Sequence, residues 1–374
     1  MIRRIFNRLN KILYSMIPKK NWIVFESVPD LSDNTKAVFD EMIKRKLNDK
    51  YTFVWWVSDK NKEFPKYKNT IYIDTKNEKE FYKYIKRAKV LICCNQFLGS
   101  YAKGQKSFYL THGTALKKVG NYCIPSSIDY NLVASQESIQ SMASAFKADP
   151  KTFRGLGFPR NDDLTNFKCD LHKLFNIKYD KIIVWYPTFR QHKNGIKSND
   201  KNAIPILENS ENAIKLNKIA KDNKILIVIK PHFAQDISYI TKHNLSNLIF
   251  INDEFFRKNK ISSYQFVGNC DALITDYSSI YFDYLLCDKP IGAAWKDIDE
   301  YRENPGFCID IDYYMKGAEK IYKLEDLAKF VINVANNIDN LKKERKEICK
   351  FANYKCDGKN SERVVDFIIE KGKL

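Results

Sequence analysis

The stretch KILIVIKPH, residues 224–232, decides the fold. Its central residues, 225–229, are all apolar and lack the polar alternation of a strand that faces water on one side. A strand that is apolar on both faces is typical of a parallel sheet covered by helices on both sides. The polar residues Lys230 and His232 follow, so the pattern predicts an α/β fold with charged and titratable groups just beyond a strand end.

Similar apolar strands alternate with helical segments along most of the chain. One series of predicted strands covers 22–27, 51–57, 70–74, 89–94, 107–111 and 130–134, and a second covers 181–186, 224–230, 247–251, 271–275 and 289–293. Predicted helices lie near 34–46, 78–88, 136–146, 211–222, 278–287, 324–338, 341–352 and 360–371. This alternation predicts two doubly wound parallel sheets, and therefore two Rossmann-like domains.

A cluster of Gly, Pro, Asn and Asp in GLGFPRND, residues 155–162, marks the predicted domain boundary. We assign residues 21–165 to an N-terminal domain and residues 166–374 to a C-terminal domain. Ligands of parallel sheets lie beyond the carboxyl ends of the strands, so we expect the two domains to face each other across a cleft. The pattern leaves open which domain the last helix, 360–371, packs against.

The composition of the 374-residue chain limits the classes of partner. Its 63 Lys and Arg residues outnumber 45 Asp and Glu residues, for a formal charge of +18. This excess indicates a nucleic acid, an anionic membrane surface or phosphorylated substrates, or else a solvated Lys-rich surface. The nine cysteines form no Cys-x-x-Cys pair, which argues against a zinc ribbon and a disulfide framework. No apolar run reaches the roughly 20 residues that span a bilayer.

Residues 1–20 have the pattern of an amphipathic helix. Their apolar side chains share one arc at helical spacing, and the segment carries no acidic residue. Its cations are Arg3, Arg4, Arg8, Lys11, Lys19 and Lys20. Such a helix can lie on an anionic membrane surface. The alternative is a helix docked on the core of the protein with its cations in solvent.

Polar residues gather after four of the predicted strands. They are His112, Gly113, Thr114 and Lys117 after the first, Thr188 and Arg190 after the second, Lys230 and His232 after the third, and Asp276, Ser278 and Ser279 after the fourth, with Asp283 on the helix that follows. Each group alone fits a structural role, such as a helix N-cap for the two serines. Because all four lie at carboxyl ends of strands, together they predict a binding site for an anionic ligand.

The chemistry of this set suits phosphate. Arg190 and Lys230 supply charge-assisted hydrogen bonds, and the start of a helix supplies free amide groups. The chain carries no Walker A sequence, no Gly-x-Gly-x-x-Gly fingerprint and no kinase signature set. We therefore expect side chains and helix ends, rather than an obligatory metal or another cofactor, to neutralise the phosphates.

These residues, in this order and spacing, resemble the CDP-glycerol glycerophosphotransferase family, which contains teichoic-acid primases and polymerases and their capsule-synthesis relatives. The residues that carry the resemblance are His112-Gly113-Thr114 with Lys117, Pro187-Thr188-Phe189-Arg190, Lys230-Pro231-His232 and Thr275-Asp276-Tyr277-Ser278-Ser279 with Asp283. The stretches 23–42 and YRENPGF, 301–307, also resemble family segments. The likeness covers roughly residues 22–355.

The resemblance implies a GT-B-like enzyme that binds a CDP-activated polyol phosphate between two Rossmann-like domains. The implied reaction transfers an alditol phosphate, glycerol phosphate in the first place, to a hydroxyl of a glycan or polyol-phosphate acceptor and releases CMP. It makes the N-terminal domain the acceptor side and the C-terminal domain the donor side. Family acceptors are usually lipid-linked, which implies a peripheral enzyme at the cytoplasmic face of the cell membrane, held there by residues 1–20.

The resemblance and the chemistry together suggest roles for the site residues. His112 is the candidate general base, because an imidazole pKa near 6.5 suits proton transfer at neutral pH. His232 would contact the phosphate and assist the leaving group. Donor phosphates would be held by Arg190, Lys230, Ser278, Ser279, Thr188, Gly113 and Thr114. Supporting positions are Asp276, which orients a neighbour, Asp283, either a ribose contact or a helix-surface carboxylate, and Lys117, either a phosphate contact or a surface lysine on the following helix.

Two other functions compete with this one. A glycosyltransferase that uses a nucleotide sugar would have the same fold and differ only in its donor. A basic nucleic-acid-binding protein would carry aromatic residues interleaved with cations on one exposed face. Here the aromatic residues lie mainly in apolar strands and the charge is spread along the chain, which argues against a nucleic-acid partner. The choice between glycerol and ribitol, the acceptor and the oligomeric state stay open at this level.

Overall fold

The computed structural model describes residues 17–120, 122–188, 204–232, 235 and 237–374. Residues 1–16 of the predicted amphipathic helix lie outside this range, as does Arg190, while Lys20 already belongs to a strand. The strands are β1 (Lys20–Glu26), β2 (Thr52–Val57), β3 (Thr70–Asp74), β4 (Ala88–Cys93), β5 (Lys106–Tyr109), β6 (Tyr130–Val133), β7 (Phe153–Gly155), β8 (Lys181–Trp185), β9 (Ile225–Ile229), β10 (Leu248–Phe250), β11 (Ala272–Thr275), β12 (Ile291–Ala294) and β13 (Glu319–Ile321).

Helices separate most of these strands. In the described residues they are α1 (Asp33–Lys44), α2 (Glu78–Tyr84), α3 (Ile139–Ala145), α4 (Asp162–Asn166), α5 (Ser210–Asp222), α6 (Ser238–Thr241), α7 (Asp253–Asn259), α8 (Ser263–Asn269), α9 (Ile280–Tyr284), α10 (Ile298–Glu303), α11 (Ile311–Tyr314), α12 (Leu324–Ala335), α13 (Lys342–Ala352) and α14 (Asn360–Gly372). The alternation of strand and helix that the sequence predicts is therefore confirmed, and it gives an α/β fold.

The first sheet has the strand order β3-β2-β1-β4-β5-β6-β7, with every neighbouring pair parallel. This is the Rossmann order with one strand added at its edge. The order reverses between β1 and β4, so the loops that follow these two strands flank the switch point where such folds bind ligands.

The second sheet repeats this plan with the order β10-β9-β8-β11-β12-β13, again all parallel. Its switch point lies between β8 and β11. The stretch that suggested the fold forms β9, and its residues alternate between two apolar cores, with Leu226 and Val228 on one side and Ile225 and Ile227 on the other. Both faces of the sheet are buried, which explains the unbroken apolar run.

Two strands were not predicted, β7 and β13. Each has three residues and lies at the edge of its sheet. Three residues are too few to show a hydrophobic period. These segments form strands because they pair with a neighbouring strand, and their own sequence does not reveal this.

The contacts divide the chain into two compact units. The first comprises residues 1–114, 121–162 and 354–374, as far as they are described, and the second comprises 115–120 and 163–353. The chain passes from the first unit to the second after Asp162. However, the final segment belongs to the first unit and not to the C-terminal domain to which 166–374 was assigned. Its helix α14 places Val364, Val365 and Ile368 in the core of the first sheet.

Within the described part of the chain, no helix combines the length and the apolarity that crossing a membrane requires.

Candidate functional site

His112 lies two residues beyond Leu110, at the carboxyl end of β5 in the first unit. The residue before it, Thr111, has a φ of 46°, a left-handed conformation that is rare for a β-branched residue. The side-chain amide of Asn34 holds this backbone, donating to the carbonyl oxygens of Leu110 at 3.3 Å and Thr111 at 3.1 Å. Asn34 is fully buried. The fold therefore fixes the backbone that presents the exposed His112 side chain.

A backbone carbonyl orients the imidazole of His112. Its Nδ1 atom lies 3.3 Å from the carbonyl oxygen of Cys94, which follows β4. Gly113 has a φ of 137°, which favours glycine. Thr114 is 1% exposed, and its hydroxyl has no hydrogen-bond partner among the described residues. The Thr114 hydroxyl is therefore not accessible from solvent, whereas the phosphate contact suggested for it requires an accessible hydroxyl.

Thr188 and Asp276 meet at the switch point of the second sheet, because they follow β8 and β11. The amide of Thr188 lies 3.1 and 2.9 Å from the two carboxylate oxygens of Asp276, and the Thr188 hydroxyl donates to the same carboxylate. The Tyr277 amide adds a donor at 2.6 Å. Asp276 is completely buried. Its carboxylate holds the backbone and the hydroxyl of Thr188 in place.

Ser278 and Ser279 lead into the short helix α9 and are half-buried. Ser279 is the N-cap residue of this helix but makes no side-chain capping bond, so capping does not occupy its hydroxyl. Asp283, on the same helix, is 1% exposed and accepts a 2.6 Å hydrogen bond from the Tyr264 hydroxyl. The suggestion of a helix-surface carboxylate is therefore wrong, because this residue faces the interior of the unit.

Lys230 directly follows β9, and a hydrogen bond of its backbone amide holds it to β8. Its amide donates to the Trp185 carbonyl at 2.9 Å. Its ammonium lies 3.0 Å from a carboxylate oxygen of Asp253 at the start of α7. Asp253 is well exposed, so this pair is weak and a phosphate could compete for the lysine.

His232 lines an open cavity in the second unit. The cavity has a volume of about 670 Å³ and is lined by Pro231, His232, Gln235, Ile237, Phe250, Ile251, Asn252, Glu254, Phe255 and Lys258. The His232 amide donates to the Gln235 side chain at 2.8 Å, and the Gln235 amide donates back to the His232 carbonyl at 2.9 Å. Partial burial, and then the charge of Lys230, lower the pKa of His232 below its usual 6.5.

Lys117 does not lie on a helix, as one of its two suggested roles required. It forms a bridge of antiparallel type with Phe307, in a segment where the Lys118 amide donates to the Gly306 carbonyl and the Cys308 amide to the Leu116 carbonyl. The YRENPGF segment thus holds residues 116–118 in the second unit. It also supports the switch point, since Tyr301 stacks on Tyr277 with ring centroids 4.1 Å apart.

Residue types alone did not identify several residues that shape these sites. In the first unit, Asn34 holds the backbone that precedes His112, and Glu26 holds the turn whose Cys94 carbonyl lies beside the His112 ring. In the second, Phe250, Asn252 and Phe255 line the cavity beside His232. The sequence did distinguish Glu26, because it is the only charged residue in the apolar stretch WIVFES, residues 22–27. Within the described ranges, no group of three or more His, Cys, Asp or Glu side chains is arranged to hold a metal ion.

The fold and the polar strand ends define a class of protein, a GT-B-like α/β enzyme built from two Rossmann-type units. A solved structure of a histidine-to-alanine variant of the wall teichoic acid polymerase TagF is similar to this protein over the full length of the present chain. The TM-score is 0.76 at 23% sequence identity, with 100% of this chain and 95% of the other covered. At this identity the likeness concerns the fold alone.

The sequence comparisons define the family. Residues 8–370 match the family model described as CDP-Glycerol:Poly(glycerophosphate) glycerophosphotransferase, and the chain belongs to this family of enzymes. It is 26% identical to a teichoic acid poly(glycerol phosphate) polymerase of Bacillus spizizenii, covering 99% of this chain and 97% of the relative. It is also 26% identical to a teichoic acid glycerol-phosphate transferase of Staphylococcus aureus, covering 87% of each chain. The family suggested by the residues is thereby confirmed.

Proposed function

We propose that this enzyme transfers an alditol phosphate, glycerol phosphate in the first place, from a CDP-alditol to a hydroxyl of a lipid-linked glycan or polyol-phosphate acceptor. CMP is the second product. The observation that carries the proposal is the Thr188–Asp276 pair at the switch point of the second sheet, in a chain of the glycerophosphotransferase family. Switch points are where open parallel sheets bind their ligands.

The donor phosphates bind to groups that follow the strands of the second unit. Asp276 aims the Thr188 segment, and Arg190 follows two residues later in the sequence. Lys230 contributes a cation whose ion pair is with the exposed carboxylate of Asp253. The half-buried Ser278 and Ser279 add hydroxyl groups.

The cytidine part of the donor binds in the cavity beside His232. Nucleotide pockets are mostly apolar with a few polar groups that fix orientation. The walls here include Phe250 and Phe255, with Gln235 and Asn252 as polar groups. Because His232 lines the cavity and lies near Lys230, a base bound here puts the pyrophosphate next to the imidazole of His232 and the ammonium of Lys230.

The chemical step is an in-line displacement at phosphorus. The acceptor oxygen forms a bond to the phosphorus that carries glycerol, and the bond from that phosphorus to the CMP oxygen breaks. The electron pair leaves with CMP, and the proton of the acceptor hydroxyl passes to the imidazole of His112. His232 steadies the departing phosphate by donating a hydrogen bond. Positioning and charge neutralisation supply most of the rate enhancement in such transfers.

A donor panel tests this function. The purified enzyme is incubated with a synthetic lipid-linked acceptor that ends in glycerol phosphate, together with CDP-glycerol, CDP-ribitol or a set of nucleotide sugars. We expect CMP release from a CDP-alditol and growth of the acceptor by one alditol phosphate per CMP. Release of a nucleotide only from a sugar donor would replace the proposal with the glycosyltransferase alternative.

The enzyme acts at a membrane surface in this proposal. Residues 1–20 combine cations with one apolar arc, and a lipid-linked acceptor is itself held at the membrane. The negative charge of both the lipid surface and the product fits the formal charge of +18.

A further inference from the structure

Glu26 is a buried carboxylate at the switch point of the first sheet. It is the last residue of β1 and is 1% exposed. Its Oε2 atom accepts hydrogen bonds from three successive amides after β4, those of Cys94 at 3.1 Å, Asn95 at 3.1 Å and Gln96 at 3.0 Å. Its Oε1 atom has no hydrogen-bond partner among the described residues. One oxygen therefore organises the whole turn.

The same turn contacts His112. The Asn95 amide and the Cys94 carbonyl belong to one peptide unit, and in a trans peptide these two groups point in opposite directions. Glu26 accepts from the amide end of this unit, while the carbonyl end lies 3.3 Å from Nδ1 of His112. A carboxylate and an imidazole are thus joined through a single peptide group.

We infer that Glu26 is a positioning residue that orients and polarises His112 through the Cys94–Asn95 peptide unit, an inference that rests on the proposed role of His112 as the base. The carbonyl selects the imidazole tautomer that carries a proton on Nδ1. This leaves the lone pair of Nε2 for the acceptor hydroxyl. A negative charge at the amide end polarises the peptide and stabilises the imidazolium that forms. The logic is that of a catalytic triad with a peptide between its acid and its histidine.

A purely structural role explains less of the geometry. A turn needs acceptors for its amides, but a neutral side chain or water can supply them, whereas burying a charge is costly. Burial raises the pKa of Glu26, and the three amide donors counteract this increase. The other titratable groups around it are Asp30, Cys93, Cys94 and Tyr109. Asp30 bonds to the amide and hydroxyl of Ser58 and not to the turn.

The Glu26→Gln variant tests the inference, since it keeps the shape and removes the charge. We expect kcat to fall about 10- to 100-fold, as for other groups that orient a functional histidine, while KM for CDP-glycerol stays within about twofold. In this variant the acid limb of the plot of kcat against pH moves to lower pH, because the protonated ring of His112 loses the stabilisation that the Glu26 charge supplies. The Asp30→Asn variant is the matched control. It removes a nearby carboxylate that does not touch the turn, and the acid limb keeps its position.

A spectroscopic readout covers the case in which the variant is too unstable for kinetics. Nitrogen-15 shifts of His112, assigned with a His112→Ala sample, report its tautomer in the full-length wild-type chain. A neutral ring protonated on Nδ1 is expected, and a ring protonated mainly on Nε2 would overturn the inference. An unmoved acid limb in Glu26→Gln would overturn it as well. Failure of the wild type to release CMP from a CDP-alditol would instead refute the proposed function, so the two failures are distinguishable.

Discussion

The amide of Thr188 donates to both carboxylate oxygens of Asp276, at 3.1 and 2.9 Å, although 88 residues separate the two in sequence. The contact joins the loops after β8 and β11, the strands between which the second sheet reverses its order. A buried carboxylate there does not need to touch a phosphate. It directs the backbone and hydroxyl of Thr188, and in the proposed function it acts on the donor through them.

Asp276→Asn should weaken CDP-glycerol binding by about tenfold, because the amide cannot accept the bonds from the Thr188 amide and hydroxyl as a carboxylate does. Isothermal titration calorimetry measures the affinity. Thr188→Val is the matched control, since it keeps the amide bond and removes only the hydroxyl. We expect it to have the smaller effect. A larger loss in Thr188→Val would show that the hydroxyl, and not the backbone, is what Asp276 positions.

His112→Ala should reduce kcat at least 100-fold and leave the dissociation constant for CDP-glycerol nearly unchanged, because general bases typically contribute 10²- to 10⁴-fold. Single-turnover CMP release and donor titration separate the two quantities. A variant that had lost donor binding along with turnover would contradict the assignment of His112 as the base.

Donor affinity should rise as the pH falls through the pKa of His232. Partial burial and Lys230 hold this pKa below 6.5, so the ring is neutral at pH 7 in the free enzyme. A bound pyrophosphate favours the protonated ring, and by linkage protonation strengthens binding. Titrations at about pH 5.5 and about pH 7.5 should differ in wild type and agree more closely in His232→Gln. An equal pH dependence in both proteins would assign the effect to another group.

Ile368→Ala in α14 should lower the free energy of unfolding of the first unit by about 2 to 5 kcal/mol, since the side chain is fully buried in the core of the first sheet. Urea unfolding followed by tryptophan fluorescence measures this. The control is Ile332→Ala, where the isoleucine is 40% exposed and the expected change is within about 0.5 kcal/mol. Equal effects of the two substitutions would contradict the docking of the final helix on the first unit.

Deletion of residues 1–18 should release the enzyme from vesicles that contain anionic lipid, because it removes most of the cations of the amphipathic pattern. Co-sedimentation with and without the segment measures binding. Replacing Arg3, Arg4 and Arg8 with Gln keeps the apolar arc and separates charge from hydrophobicity. A truncated chain that still sediments with the vesicles would place the membrane contact elsewhere.

Much of the fold could be predicted from local pattern, for a physical reason. Strands buried on both faces must be apolar throughout, so β9 and its relatives are visible in the sequence as continuous runs. Short edge strands such as β13 carry no such constraint and were missed. One of the two roles suggested for Lys117, a surface position on a helix, was wrong because Lys117 takes its conformation from a bridge to Phe307, a partner remote in sequence.

The sequence by itself determined the α/β class, the family and the residue types at the strand ends, because burial and phosphate chemistry act on each segment separately. Only the tertiary structure decided what those residues do for one another. Asp283 is an interior group bonded to Tyr264, α14 returns to the first unit, and Glu26 reaches His112 through the turn at Cys94. Each of these depends on pairing segments far apart in the chain, and that pairing follows from the strand order, which no local pattern contains.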